Sequence, residues 1–155
     1  MIEVKVKKVK EGAELPFVAT TGAVGADLRA CLYDEETQEK LAKIVIPAGG
    51  KTKINTGLAF QLPENHFMML APRSSMGIKK GLMLQNTVGI LDSDFEHECL
   101  LFVKNISDEP VEIEFGERIA QAIVLPYPTV SYSLVEEFDK RETNRVYGFG
   151  SSGKF

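Results

Sequence analysis

Thr52-Lys53-Ile54-Asn55-Thr56-Gly57-Leu58-Ala59-Phe60-Gln61-Leu62 places Ile54, Leu58, Phe60 and Leu62 at even positions, with Lys53, Asn55 and Gln61 at odd ones. Side chains two apart share one face of an extended chain, so the run reads as a half-buried β-strand. Turn chemistry bounds it on both sides, Pro47-Ala48-Gly49-Gly50 before and Leu62-Pro63-Glu64-Asn65 after. The same period recurs outward. Ile2, Val4 and Val6 alternate with Glu3, Lys5 and Lys7, and similar runs lie at Ile44–Ile46, Phe67–Ala71, Cys99–Val103, Val111–Phe115 and Ile119–Leu125. Ser107-Asp108-Glu109-Pro110 and Phe115-Gly116-Glu117 supply further turns. Many short strands at this spacing predict an all-β sandwich, jelly roll or barrel. Only Glu35–Ala42 has helical composition, about two turns by length, and Ser74–Lys80 could form one more turn.

With 155 residues, no internal repeat and no linker, the chain is expected to form one domain over residues 1–132. Past Tyr132 it turns polar and ends in Tyr147-Gly148-Phe149-Gly150-Ser151-Ser152-Gly153-Lys154-Phe155, so residues 133–155 read as a flexible C-terminal arm. That arm holds Arg145 and Phe149, which a mere spacer does not need.

Hydrophobic residues at 44 % and charged residues at 26 % place the chain away from disordered and membrane classes. The N-terminus alternates apolar with charged residues, unlike a secretory or transit segment, so a cytoplasmic location is expected. A formal charge of −4 argues against a general nucleic-acid binder. It leaves room for an anionic small ligand held by a few local cations, backbone amides and a divalent metal. Cys31 and Cys99 match no metal-ligand spacing and read as reduced core residues.

Five irregular segments carry the residue types of chemistry. Gly22-Ala23-Val24-Gly25-Ala26-Asp27-Leu28 suits a tight turn delivering a carboxylate beside a strand, or an ordinary turn with a capping Asp. In Ala71-Pro72-Arg73-Ser74-Ser75-Met76-Gly77, Ser74 could cap a helical turn whose free amides form an anion site beside Arg73; a capped surface helix reads equally well. Asn86-Thr87-Val88-Gly89-Ile90-Leu91-Asp92-Ser93-Asp94-Phe95 reads as an apolar hairpin between an amide and a carboxylate. Backbone donors and acceptors with Asn86 are what reading a pyrimidine edge requires, and Asp92 could deprotonate a water. Asp92 and Asp94 resemble a metal pair, although the turn breaks the spacing that direct ligation needs. Phe115-Gly116-Glu117-Arg118-Ile119-Ala120-Gln121 is weaker, with Arg118 better read as a structural ion pair. In the arm, Gly and Ser amides could wrap phosphate oxygens while Arg145 pairs with phosphate and Phe149 stacks on a base.

In order and spacing these five segments resemble the motifs of the trimeric dUTPase family, over roughly Leu15 to Gly153. Leu15-Pro16 with Ala19-Thr20, and Ile46-Pro47-Ala48-Gly49-Gly50 before Thr56-Gly57, are also typical of it. The resemblance implies a distorted jelly-roll (β-clip) subunit and a homotrimer with shared active sites. It implies hydrolysis of dUTP to dUMP and pyrophosphate, with Mg²⁺ held mainly by substrate phosphates and water rather than directly by protein. Asp92 matches the general base that activates the attacking water. Asn86 and the backbone of Thr87–Ile90, Gly89 included, match the reader of uracil, and Phe95 the ring that packs on deoxyribose and disfavours a 2′-hydroxyl. Arg73, Ser74, Ser75 and Gln121 match phosphate contacts, and Asp27 the supporting carboxylate. Arg145, Phe149, Gly150, Ser151 and Ser152 match an arm that closes over a neighbouring subunit's site, with Arg141 the alternative arginine. Phe95 stands where the family has tyrosine and His97 where it has glycine; His97 reads as a surface residue.

Two rival readings remain at this level. A dCTP deaminase shares the fold group but needs a glutamate-centred site, whereas the third segment ends in Asp92-Ser93-Asp94-Phe95. A binding module that kept the fold to engage a regulatory protein partner is the other, either instead of catalysis or as an additional role.

Overall fold

A computed structural model describes residues 2–142. Arg145, Phe149, Gly150, Ser151 and Ser152 of the expected arm lie outside the described residues. Ten strands and one short helix follow one another: β1 Lys5–Lys8, β2 Ala26–Arg29, β3 Lys43–Ile46, β4 Lys51–Gln61, β5 His66–Pro72, α1 Ser74–Lys80, β6 Leu82–Leu84, β7 Gly89–Leu91, β8 Glu98–Asn105, β9 Val111–Glu114 and β10 Arg118–Pro126. They form a four-stranded sheet β1-β4-β8-β6, a second of order β2-β10-β5-β7, and a two-stranded pair β3-β9. All pairings are antiparallel. The all-β expectation holds.

The alternation that announced β4 and β8 is the alternation that packs them. Ile54, Leu58 and Leu101 meet Leu28, Leu82 and Ile113 in a core where each is at most 1 % exposed. Burying such side chains is the main favourable term in folding, worth roughly 1.5–3 kcal/mol each. The second half of β4 departs from period two, because Leu58, Ala59 and Phe60 are all buried. Successive residues point to opposite faces, so both faces of the sheet are covered here.

Gly57 explains where β4 changes habit. The β4–β8 register shifts between Asn55 and Ala59, and Gly57 sits there at φ +68. A Cβ on it would lie 2.7 Å from Ala13 Cβ and 2.8 Å from Cys31 Sγ. The freed amide does not go unpaired: Gly57 N–H donates to Glu98 Oε1 at 2.9 Å, and Asn55 Nδ2 donates to Oε2 at 3.1 Å. Glycine is required here by both conformation and space. Gly57→Ala should lower stability by about 2–4 kcal/mol through strain and overpacking. Denaturant unfolding monitored by circular dichroism would read it, and an unchanged midpoint would refute the account.

Asn105 closes the far end of β8. Buried, it donates from Nδ2 to the carbonyls of Ile46, Pro47 and Glu109 and accepts from Ser107 N–H and Oγ–H. It thereby ties the ends of β3 and β9 to the first sheet.

Three sequence expectations need correction. Glu35–Ala42 is not a helix: Asp34 Oδ1 accepts from the amides of Glu36 and Thr37, and Tyr33 bridges Lys40 across the resulting turn. An aspartate that captures nearby amides competes with helical hydrogen bonding. The first strand begins at Lys5 rather than Ile2, which is 52 % exposed. The segment around Asn86–Asp92 is no two-stranded hairpin, because β6 pairs with β8 in the first sheet and β7 with β5 in the second. Residues 85–88 cross between the sheets instead.

Candidate active site

Strand register assembles the first group of polar residues. β10 lies between β2 and β5, so Gln121 stands opposite Asp27 on one side and Ala71 on the other. Pro72 ends β5 and releases Arg73 back over the same edge. Asp27, 8 % exposed, then takes Arg73 Nε on Oδ1 at 2.8 Å and Arg118 Nη1 on Oδ2 at 3.1 Å. Arg73 Nη1 also donates to the Arg118 carbonyl at 3.1 Å. A carboxylate gripped by two guanidinium groups, one itself hydrogen-bonded to backbone, is a rigid frame. Gln121 Nε2 donates to the Pro72 carbonyl at 3.3 Å, and Gly25 lies so close to the Gln121 side chain that a Cβ there would force Gln121 to shift. The second glycine before Asp27 thus serves packing against Gln121.

Beside this frame is a groove of about 360 Å³ lined by Arg29, Arg73, Ser75, Lys79, Lys80 and Arg118. Arg29 pairs with Glu14 at 3.1 Å and donates to the Gly116 carbonyl at 2.7 Å; Lys80 pairs with Glu117. The lining still holds five cationic side chains against one carboxylate, Glu117, on a chain of net charge −4. Helix α1 begins differently from expectation. Its N-cap is Arg73, with no side-chain capping bond, so Ser74 is the first helical residue and not the cap. Ser74 is exposed and Ser75 half-buried at the groove's edge.

The second group lies on the crossing segment. Thr87 adopts φ 57 while its N–H donates to the Leu84 carbonyl at 3.0 Å, which turns the chain sharply out of β6. Gly89 then enters β7 opposite Leu70, and a Cβ on it would lie 3.0 Å from Leu70 Cδ1. Here lies a cavity of about 200 Å³ lined by Asn86, Gly89, Ile90, Phe95, Glu98 and Phe102, among others. Asp92 follows β7 in an exposed turn closed by Phe95 N–H donating to the Asp92 carbonyl at 3.1 Å.

Asn86, Gly89 and Phe95 therefore share one cavity, while Asp27, Arg73, Ser75 and Gln121 cluster elsewhere. The groove and the cavity share no lining residue within one chain. Among the described residues no group of three or more His, Cys, Asp or Glu is placed to hold a metal ion. Arg118 forms the ion pair expected of it, but to Asp27, which makes it part of the site's frame. Arg29 and Glu98 were missed. A glycine inside an alternating strand was the available signal for Glu98, since a bulged amide needs an acceptor. Each Glu98 oxygen accepts one hydrogen bond from β4. Cys31 and Cys99 are buried free thiols, with burial raising the Cys31 pKa and pushing Cys99 up to about 12.

This all-β chain thus carries a guanidinium–carboxylate frame in one place and a cavity edged by Asn86 in another. The family model for dUTPase matches residues 12–153, and the chain belongs to that family. It is 38 % identical over 154 residues to the deoxyuridine 5′-triphosphate nucleotidohydrolase of Janthinobacterium sp. (strain Marseille), spanning 99 % of this chain and 97 % of the relative. Its fold is similar to the dUTPase of Staphylococcus bacteriophage 80alpha with dUpNHpp, at TM-score 0.82 and 25 % identity, covering 97 % and 98 % of the two chains. It is also similar to a point variant of the dUTPase from phage phi11 of S. aureus, a structure described as revealing coordination of a structural Mg(II) ion, at TM-score 0.76 and 20 % identity over 89 % and 99 %. Among the described residues no helix is long and apolar enough to cross a membrane.

Proposed function

We propose that this chain hydrolyses dUTP to dUMP and pyrophosphate, with Asp92 activating the water that attacks the α-phosphorus. The observation that carries the reading is the cavity between Asn86, Gly89 and Phe95, with Asp92 in the turn beside it, in a member of the dUTPase family. Asn86 and the backbone of Thr87–Ile90 would pair with the uracil edge. Gly89 and Leu70 both line that cavity, and a side chain on Gly89 would press on Leu70, which supports a role for glycine in its shape. Discrimination by hydrogen bonds is the strong kind, because a wrong base leaves buried polar groups unpaired.

Phosphoryl transfer asks a protein for positioning and charge neutralisation more than for covalent help. Arg73 spends Nε and Nη1 on its frame, which orients Nη2 for a phosphate oxygen; Ser74, Ser75 and Gln121 add donors. Asp27 holds Arg73 and Arg118 and does not touch the ligand. Arg145, Phe149, Gly150, Ser151 and Ser152 would close over base and γ-phosphate from the arm, residues 133–155.

The separation of the two half-sites within one chain supports a homotrimer in which neighbouring subunits complete each site. Tyr132, Leu134 and Phe138 support it too, each more than 90 % exposed in the single chain, as large apolar side chains awaiting a partner. Mg²⁺ fits this chain as an ion carried in on phosphate oxygens and water, since both Asp27 oxygens are engaged by arginine. When bound, it neutralises charge on the triphosphate.

Pyrophosphate release from dUTP, dCTP, dTTP and UTP with Mg²⁺ tests the reading. Release from dUTP at least about a hundredfold faster than from the others is expected, given how strongly hydrogen-bonded sites reject analogues. Equal release from all four would overturn the specificity, and none from dUTP would overturn the activity.

A further inference from the structure

Phe95 and His97 occupy the turn after Asp92, and their rings touch. Phe95 lines the cavity with Asn86 and Gly89 and is 39 % exposed. The His97 ring meets it at a centroid separation of 5.6 Å and an interplanar angle of 74°. This edge-on arrangement is one that aromatic quadrupoles favour. The flanking carboxylates are committed elsewhere, Glu96 accepting from Gln61 Nε2 and Glu98 from Asn55 and Gly57.

Phe95 and His97 stand at positions where the sequence departs from the pattern of the family it resembles, which implies tyrosine and glycine there, and the two rings are in direct contact. A tyrosine can anchor its ring through its hydroxyl. A phenylalanine in an exposed turn lacks that anchor, and a glycine two residues on would offer no side chain to replace it.

We propose that His97 is a positioning residue whose imidazole braces the Phe95 ring against the sugar, so that the chain prefers a deoxyribose over a ribose nucleotide. The role rests on the reading under Proposed function, and it makes His97 a specificity determinant that acts through Phe95.

The test compares the native chain with His97→Gly, His97→Phe and the double variant Phe95→Tyr with His97→Gly. Steady-state pyrophosphate release from dUTP and UTP gives kcat and KM, and calorimetry gives affinities for dUpNHpp and UpNHpp. His97→Gly should lower the dUTP-over-UTP preference by about three- to tenfold, the range of an aromatic pair. The loss should fall on KM, with kcat for dUTP within about twofold. His97→Phe should retain the preference, and Phe95→Tyr should restore it to His97→Gly. An unchanged preference in His97→Gly, or a loss that neither ring restores, would overturn the brace. Turnover and analogue binding separate the two failures. A chain that binds dUpNHpp without releasing pyrophosphate from dUTP contradicts the proposed activity, while its analogue affinities still decide the role of His97. Binding of neither analogue would end both.

Discussion

Asp92→Asn is expected to lower kcat for dUTP by about a hundred- to ten-thousandfold, the range a positioned general base supplies, if Asp92 is the base proposed above. Asparagine keeps the shape of the side chain but removes its negative charge and its capacity to take a proton. The turn does not depend on that side chain, because the backbone carbonyl of Asp92 is what accepts from Phe95 N–H. Folding and affinity for dUpNHpp should therefore stay near native, and the loss should lie in kcat rather than KM. Pyrophosphate release with a calorimetric binding control would distinguish the cases. Native turnover would remove Asp92 from the mechanism, and loss of analogue binding would make it a binding residue.

Asp27→Asn is expected to act on stability and turnover together. Its carboxylate is the shared partner of Arg73 and Arg118. An asparagine presents one oxygen and one amide N–H to two guanidinium groups, leaving positive charge uncompensated. Breaking a buried pair costs about 3–5 kcal/mol, but the Arg73 and Arg118 side chains are 26 % and 38 % exposed and water screens part of this. A stability loss of about 1–3 kcal/mol is expected by denaturant unfolding. With Arg73 no longer oriented, kcat/KM for dUTP should drop roughly ten- to a hundredfold, from loss of a charge-assisted contact. Native stability with native KM would show that Asp27 is not the keystone of the frame.

Much of the fold was legible in the chain because β-periodicity is a local property. The runs at Ile44–Ile46, Thr52–Leu62, Phe67–Ala71, Cys99–Val103, Val111–Phe115 and Ile119–Leu125 correspond to β3, β4, β5, β8, β9 and β10 within a residue or two. Ser74–Lys80 is helical as expected. Glu35–Ala42 was misread because composition favoured a helix while Asp34 captured the amides of Glu36 and Thr37. Asn86–Asp92 reads locally as an apolar hairpin because nothing in that stretch reveals that its one strand, β7, pairs with β5 in the second sheet.

By itself, the sequence determined the class of structure, the places where the chain turns, and the polar side chains that chemistry could use. Alternation, turn residues and residue type are all encoded within a few neighbours. Tertiary structure alone decided which of those side chains meet. Gln121 faces Asp27 because β10 pairs with β2 in one register, and Arg118 reaches Asp27 across 91 residues of chain. It also placed Asn86 and Phe95 in a cavity apart from Arg73, and set His97 against Phe95. Register and ring contact are settled by burial summed over whole sheets, and no short window of sequence contains that sum.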